Sequence, residues 1–111
     1  MKYARIAINE LKPGTVNISI DRTENELLPL FRNQPGFISY AVYRVQERSV
    51  ASVSVWETRE AAENAVRLAD DWIKSSLPEA VVASRVVIGE LAFESEGPSL
   101  LHSEELPPSL H

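Results

Sequence analysis

Four stretches of the chain have the residue pattern of β-strands, and the first of them alternates cleanly between apolar and polar positions, as in a strand with one packed face. The first stretch, residues 2–9, places Ala4, Ile6 and Ile8 on one face. The opposite face is semipolar and carries Tyr3, Arg5, Ala7 and Asn9. Two further runs, residues 37–46 and 49–56, are separated only by a polar pair and predict a hairpin. A last strand is predicted over residues 84–93.

Two helices are predicted between these strands. The stronger signal covers residues 58–76, where apolar positions recur at helical spacing and Thr58 is placed to cap the first turn. Residues 15–33 leave two alternatives open, because β-branched residues alternate at their start while apolar positions also recur every three or four residues. We favour a helix here. Pro29 lacks an N–H group, so we expect the helix to bend near Asn25.

The resulting order of elements is β-α-β-β-α-β, which predicts an α+β, ferredoxin-like fold. Such a fold has a four-stranded antiparallel sheet with two helices on one face. The two hairpin strands are nevertheless apolar on both faces. Because helices cover only one of these faces, we expect a homodimer in which two sheets pack face to face.

A two-residue turn at Glu47-Arg48 would set the register of the hairpin. It would place Tyr43 opposite Ser52, Ala41 opposite Ser54 and Ser39 opposite Trp56. One face of the hairpin would then be a trough of small hydroxyl residues, edged by Tyr43 and Trp56. We predict that Tyr43 and Ser54 contact a polar ligand group in this trough. Arg5 and Asn9, on the semipolar face of the first strand, are further candidates for ligand contacts, with surface or interface hydrogen bonding as their simpler role.

Composition excludes several functional classes. The chain has 111 residues and no cysteine, so disulfides and thiolate metal sites are excluded, and a reducing, cytoplasmic location is expected. Its net charge is -5, and residues 94–111 contain four glutamates but no lysine or arginine. No basic face remains for nucleic acid, and no apolar run is long enough for a membrane helix. No group of acids or histidines has the spacing of metal ligands, so we expect no metal.

The sequence divides into a folded domain, residues 1–93, and an acidic C-terminal tail, residues 94–111. Proline and serine are frequent in the tail, which is typical of a solvated extension. Four leucines within it favour instead an arm that docks on the folded domain or across the dimer; they are Leu100, Leu101, Leu106 and Leu110.

Several local patterns resemble the antibiotic biosynthesis monooxygenase-like proteins, whose members are dimeric α+β barrels. They are the run Gln34-Pro35-Gly36-Phe37, the strand ending Val53-Ser54-Val55-Trp56-Glu57-Thr58, the alanine-rich helix after it, and Gly89-Glu90. The resemblance covers roughly residues 2–92. It implies that Trp56 lines a substrate cavity, as a tryptophan at this position does in quinone-forming members. An asparagine that orients the phenol in those members is replaced here by Ser52, which offers a single hydroxyl.

The resemblance also implies a function. We expect a cofactor-independent monooxygenase that acts on a small aromatic or polyketide-like substrate in a cavity between sheet and helices. An electron-rich phenol reduces oxygen through its own anion, so the protein supplies orientation, deprotonation and exclusion of water. The alternative is a non-catalytic module that binds a small ligand on the same dimeric scaffold. The absence of histidine from the predicted trough favours this alternative.

Overall fold

The computed structural model describes residues 1–97. Its four antiparallel strands lie in the order β2-β3-β1-β4. Their bounds are β1 Tyr3–Leu11, β2 Phe37–Gln46, β3 Ser49–Trp56 and β4 Val81–Glu90. The sheet and its helices form the predicted ferredoxin-like α+β fold. Within residues 1–97, no helix is both long enough and apolar enough to cross a membrane.

The last strand lies three residues earlier than predicted. It begins at Val81 rather than Ser84 and ends at Glu90 rather than Phe93. The reason is its partner, because β4 pairs only with β1, and β1 begins at Tyr3, opposite Glu90. Beyond that pair, a single hydrogen bond from the Leu91 N–H to the Lys2 carbonyl closes the ladder.

Between β1 and β2 the chain is helical from Val16 to Arg32, which settles the open alternative in favour of a helix. It consists of α1 (Val16–Arg22), a π-helical turn (Thr23–Leu27) and α2 (Leu28–Arg32). At the end of the π-helical turn the Leu28 N–H donates to the Thr23 carbonyl, five residues back. The expected distortion near Asn25 therefore takes the form of a π-helical turn directly before Pro29.

The second of the two predicted helices is α3 (Arg59–Ser76), and it begins after Thr58 as predicted. The Thr58 hydroxyl accepts a hydrogen bond from the Ala61 N–H at 3.0 Å and so caps the first turn. Its buried face is made of Ala62, Ala65, Ala69 and Trp72. The small alanines allow the helix to lie close to the sheet, where this face packs around Trp56 and Phe31.

The register predicted for the hairpin is wrong by one residue over most of its length. Gln46 pairs with Ser49 as expected, but the next pair is Arg44 with Val50, so one residue of β2 is left without a partner. This irregularity is a β-bulge, and it reverses the faces of residues 39–44; a second irregularity between Phe37 and Ser39 returns Phe37 to the side of Trp56. Tyr40 therefore lies opposite Ser54, and Val42 lies opposite Ser52.

Because of the bulge, Tyr43 lies on the face of the sheet opposite to the one predicted. It pairs with Ala51, on the face of the sheet opposite to Ser52 and Trp56, and is 56% exposed. We call this side the open face, because no helix of residues 1–97 covers it. Its apolar side chains are Ile6, Ile8, Tyr43, Val53, Val55 and Val87. The other side, beneath the helices, carries Arg5, Asn9, Ser52, Ser54 and Trp56.

Candidate functional site

A small cavity lies between the sheet and the helices, which we call the inner cavity. It has a volume of about 40 Å³. Strands β1, β2 and β3 form its floor, while α1, the π-helical turn and the end of α3 form its roof. The polar side chains that line it are Arg5, Asn9, Ser19, Thr23, Tyr40 and Ser52. A space of this size holds a molecule or group of only a few atoms.

Arg5 is the most unusual of these residues. It projects from β1 beneath the helices and is only 2% exposed. Its Nη1 donates to the Ser52 hydroxyl over a long 3.4 Å, and its guanidinium carbon lies 5.9 Å from the centre of the Phe31 ring. Burial lowers the pKa of Arg5, with the nearby Tyr40 acting against that effect. The group still remains charged, because an arginine side chain does not lose its proton in a protein.

No carboxylate of residues 1–97 balances the Arg5 charge. The ion pairs in this part of the chain are Lys2–Glu94, Arg22–Glu26 and Lys74–Asp70. A buried cation without a counter-charge is unfavourable by several kcal/mol in an apolar interior, so such groups are rare outside binding sites. Arg5 therefore marks the inner cavity as a place where an electronegative group would be stabilised.

Three buried polar atoms at the inner cavity have no hydrogen-bond partner among residues 1–97. They are Arg5 Nε, Asn9 Oδ1 and Ser19 Oγ. An unpaired buried donor or acceptor costs about 1–3 kcal/mol, and each is therefore expected to have a use. All three side chains line the same cavity although they come from β1 and α1. Their convergence provides donors and acceptors for a ligand.

Tyr40 forms the wall between the inner cavity and a wider cleft. Burial raises the pKa of its hydroxyl, while the charge of Arg5 and the proximity of Ser52 act in the opposite direction. The hydroxyl therefore stays neutral at physiological pH and can donate a hydrogen bond. Its ring packs edge-on against Phe31 at 4.9 Å between ring centres, which fixes the side chain on the helix-covered face.

The wider cleft, which we call the outer cleft, lies between the first helical region and β2. It measures about 260 Å³ and shares Ile20, Thr23, Tyr40 and Val42 with the inner cavity. Leu28 and the exposed Glu24 complete its lining. Its walls are mainly apolar, and it adjoins the polar inner cavity near the unpaired edge of β2.

A polar contact outside the cavity holds the first helical region against α3. Glu26 accepts hydrogen bonds from Arg22 Nε at 3.0 Å and from Trp72 Nε1 at 3.1 Å, while Arg22 Nη1 donates to the Ser76 carbonyl at 2.6 Å. The hydrogen bonds from Arg22, followed by that from Trp72, lower the pKa of Glu26. Because Trp72 also lines the inner cavity, this contact fixes part of the cavity roof.

The structure separates the six residues that the sequence analysis selected. Arg5, Asn9 and Ser52 line the inner cavity. Trp56 is fully buried in the apolar core, where its Nε1 donates to the Ser54 hydroxyl at 2.9 Å, and neither residue lines the inner cavity or the outer cleft. Tyr43 lies on the open face.

Sequence reasoning missed Tyr40, Ser19 and Thr23. The predicted register, with Ser39, Ala41 and Tyr43 facing the trough, puts Tyr40 on the other face, because the sequence pattern gives no sign of the bulge before Gln46. Ser19 and Thr23 were predicted to be helical, and their four-residue spacing places them on one helix face, but nothing distinguished them from ordinary surface residues.

Among residues 1–97, no group of three or more metal-ligating side chains comes together.

Comparison with known proteins identifies the family. The model of the antibiotic biosynthesis monooxygenase family matches residues 3–70. The chain belongs to this family. The match covers β1 to β3 and most of α3, including every strand and helix that contributes a polar group to the inner cavity. No curated protein has a significantly similar sequence.

Solved structures with the same fold are distant in sequence. A protein of unknown function from Nitrosomonas europaea aligns with 14% identity and a TM-score of 0.71, over 88% of this chain and 96% of its own. SnoaB, a cofactor-independent oxygenase from Streptomyces nogalater, aligns with 13% identity and a TM-score of 0.65, over 84% of this chain and 95% of its own. A Shewanella oneidensis protein aligns with 21% identity and a TM-score of 0.66, over 79% and 88% of the two chains. At these identities the likeness concerns the fold.

Proposed function

We propose that this member of the antibiotic biosynthesis monooxygenase family is a cofactor-independent monooxygenase. Its substrate would be a small aromatic or polyketide-like phenol bound in the outer cleft, with one polar end in the inner cavity. The observation that carries the proposal is the convergence of unpaired Arg5, Asn9 and Ser19 atoms on one cavity of a family-typical fold. The shared fold with SnoaB, a cofactor-independent oxygenase, supports it.

The proposed reaction balances without an added reductant. The substrate anion, which has given its proton to water, passes one electron to oxygen, and the two radicals combine to form a carbon–oxygen bond. The resulting peroxide loses water, so a CH2 group of the ring system and one O2 give one carbonyl and one H2O. The protein contributes by orienting the ring and by excluding water from the reacting carbon.

The residues that line the inner cavity and the outer cleft have different roles in this proposal. Asn9, Ser19 and Ser52 hydrogen-bond the polar end of the substrate, while Ile20, Val42 and Leu28 contact its ring. A cavity of about 150 Å³ accepts benzene, so the outer cleft is large enough for a single ring and the inner cavity is not. A substrate with several rings would extend from the outer cleft towards solvent.

A second function is favoured by a specific observation. Within residues 1–97, neither a histidine nor a carboxylate lines the inner cavity, and the exposed Glu24 is the single carboxylate of the outer cleft. A protein that binds a small ligand without changing it needs no proton acceptor. The alternative is therefore a non-catalytic binding module with the same pocket, on the same dimeric scaffold.

We also propose that the protein acts as a homodimer through the open face. Ile8 at 46% and Val87 at 47% exposure are examples of the apolar side chains that one chain leaves in contact with water there. Arg85 lies beside Ile8 at one end of this face, but the apolar group around Ile6, Val53 and Val87 is unfavourable in water and is stabilised when a second copy covers it. The cysteine-free sequence suits the reducing cytoplasm, which we propose as its location.

Oxygen uptake with a panel of anthrones, which carry the required ring CH2 group, tests the proposed activity. We expect one O2 consumed per carbonyl formed, in buffer that contains a chelator and no flavin. Asn9→Ala should lower kcat/KM at least about tenfold, because it removes a hydrogen bond to the substrate. Asn33→Ala, an exposed site at the end of α2, is the matched control. Ligand binding without oxygen uptake across the panel would favour the binding module.

A further inference from the structure

We propose that the inner cavity is an oxyanion site, in which Arg5 holds an ionised oxygen of the bound ligand. The inference deepens the proposed function and rests on it in using the same cleft. It adds that the ligand enters as an anion, such as a phenolate, an enolate or a carboxylate, with its charged oxygen inside and its ring outside.

The charge of the cavity supports this choice of ligand. Arg5 is 2% exposed and has no carboxylate partner among residues 1–97. Its Nε has no protein acceptor, and its side-chain partners are neutral hydroxyls: Ser52, at a long 3.4 Å from Nη1, and Tyr40, whose hydrogen bond acts to raise the pKa of Arg5. A charged acceptor in the cavity would satisfy this donor and neutralise the buried cation, and charge-assisted hydrogen bonds are about twice as strong as neutral ones.

The neighbouring groups suit an oxyanion. Ser19, Ser52 and Tyr40 carry hydroxyls that can donate to an ionised oxygen. The unpaired atom of Asn9 is the acceptor Oδ1, which suits a protonated group of the ligand beside that oxygen. The raised pKa of Tyr40 keeps its hydroxyl protonated, and therefore a donor, near neutral pH. The cavity thus combines one fixed positive charge with several donors and no negative side chain of residues 1–97.

The two volumes determine how such a ligand would lie. The inner cavity, at about 40 Å³, accepts an oxygen atom or a carboxylate but no ring. The outer cleft, at about 260 Å³, accepts the ring and shares four lining residues with the inner cavity. Glu24 lies at the rim of the outer cleft and is exposed, so water screens its repulsion of an anion.

The charged oxygen could belong to an aromatic ligand or to a free small anion, and we infer the former from the adjoining outer cleft. Calorimetric titrations at pH 7 with benzoate, benzamide and formate separate these sources. Benzoate and benzamide share one shape and differ in charge, whereas formate has the carboxylate without the ring. We expect benzoate to bind at least about tenfold more tightly than both of the others.

Variants of the full-length protein then locate the site. Arg5→Met should lower benzoate affinity at least about tenfold, and Arg5→Lys should lower it less, because the charge is kept but the planar donor set is lost. Arg67→Met, at an exposed position of α3, is the matched control and should leave binding unchanged. Tighter binding of formate than of benzoate would overturn the aromatic source and assign the cavity to a free anion.

Three results would overturn the oxyanion site itself. They are equal affinities for benzoate and benzamide, undiminished benzoate binding by Arg5→Met, and the absence of binding by any of the three probes. The first and last need no variant, so they hold even if Arg5→Met fails to fold. None of these titrations measures oxygen uptake. Loss of the oxyanion site and loss of the proposed oxygenase activity are therefore distinguishable outcomes.

Discussion

Arg5 and Ser52 face each other beneath the helices on the neighbouring strands β1 and β3, with Arg5 Nη1 3.4 Å from the Ser52 hydroxyl. Their backbones are two positions out of direct register, since Arg5 pairs with Ser54 and Ser52 pairs with Ala7. The long side chain of Arg5 thus reaches along the sheet towards the inner cavity. Because this hydrogen bond is long and Ser52 is neutral, it compensates the buried charge of Arg5 only weakly.

Replacing Arg5 should therefore not destabilise the free protein. For Arg5→Met we expect a free energy of unfolding that is unchanged or higher by up to about 4 kcal/mol, because a buried charge is removed while the packing volume is kept. Urea denaturation monitored by tryptophan fluorescence measures the change. A loss of more than about 1 kcal/mol would mean that Arg5 serves the fold.

Ser54 should behave as a structural residue. Its hydroxyl accepts the hydrogen bond of the fully buried Trp56 Nε1, so Ser54→Ala leaves that donor unpaired. We expect a loss of about 1–3 kcal/mol in the free energy of unfolding, with no effect on benzoate affinity. Ser39→Ala, at an exposed position of β2, is the control. Reduced benzoate affinity at unchanged stability would bring Ser54 back into the site.

Pro29 should be dispensable for stability. The π-helical turn Thr23–Leu27 ends just before it, and Pro29 is itself exposed. Pro29→Ala restores a donor and a better helix former, so we expect the free energy of unfolding to stay constant or to rise by about 1 kcal/mol. Thermal and urea denaturation provide the measurement. A loss above about 2 kcal/mol would show that the surroundings require the distorted helix.

The contact between Glu26, Arg22 and Trp72 should depend on pH. Hydrogen bonds from Arg22 and then Trp72 lower the pKa of Glu26 below its ordinary value of 4.5. A lowered pKa in the folded state means that the unfolded chain binds the proton more readily, so this stabilisation is present above pH 4.5 and decreases as the pH falls below it. Glu26→Gln should flatten the dependence of Tm on pH in that acidic range. An unchanged slope would contradict the assignment.

The open face should hold two copies together. Val53 lies in its centre, between Ile6 of β1 and Ala41 of β2. We expect sedimentation to show a dimer at micromolar concentration, and Val53→Lys to shift it to a monomer because a charge cannot be buried in an apolar interface. Ile18→Lys changes an exposed apolar residue of α1 and should leave the dimer intact. A monomeric wild-type protein would disprove this interface.

The fold was predictable because its signals are local and periodic. Alternation identified β1, and the stripe of Ala62, Ala65 and Ala69 identified α3, while the order of elements gave the topology. Of the candidate site, the contribution of β1 was predictable and the contribution of β2 was not. A single unpaired residue before Gln46 reverses the faces of residues 39–44 of β2, so that Tyr40 rather than Tyr43 reaches the cavity. No residue pattern predicts such a bulge.

One other expectation depended on tertiary packing. The family resemblance pointed to Trp56 as a cavity residue, but here Phe31 and Phe37 pack edge-on against it and enclose it in the core. The predicted docking of Leu100, Leu101, Leu106 and Leu110 lies outside the described residues.

Arg5 and Asn9 could be selected from the sequence because polar side chains on a predominantly apolar strand are unusual wherever the strand is buried.

Nuclear magnetic resonance of the arginine side chains tests the central claim, that the cavity at Arg5 is the ligand site. The Nε–H signal of Arg5 is identified as the one lost in Arg5→Met. During titration with benzoate we predict that this signal shifts saturably, because its unpaired Nε–H gains a charged acceptor, while the signal of the exposed Arg67 stays in place. An Arg5 signal that remains unchanged while benzoate binds elsewhere on the protein would contradict the account.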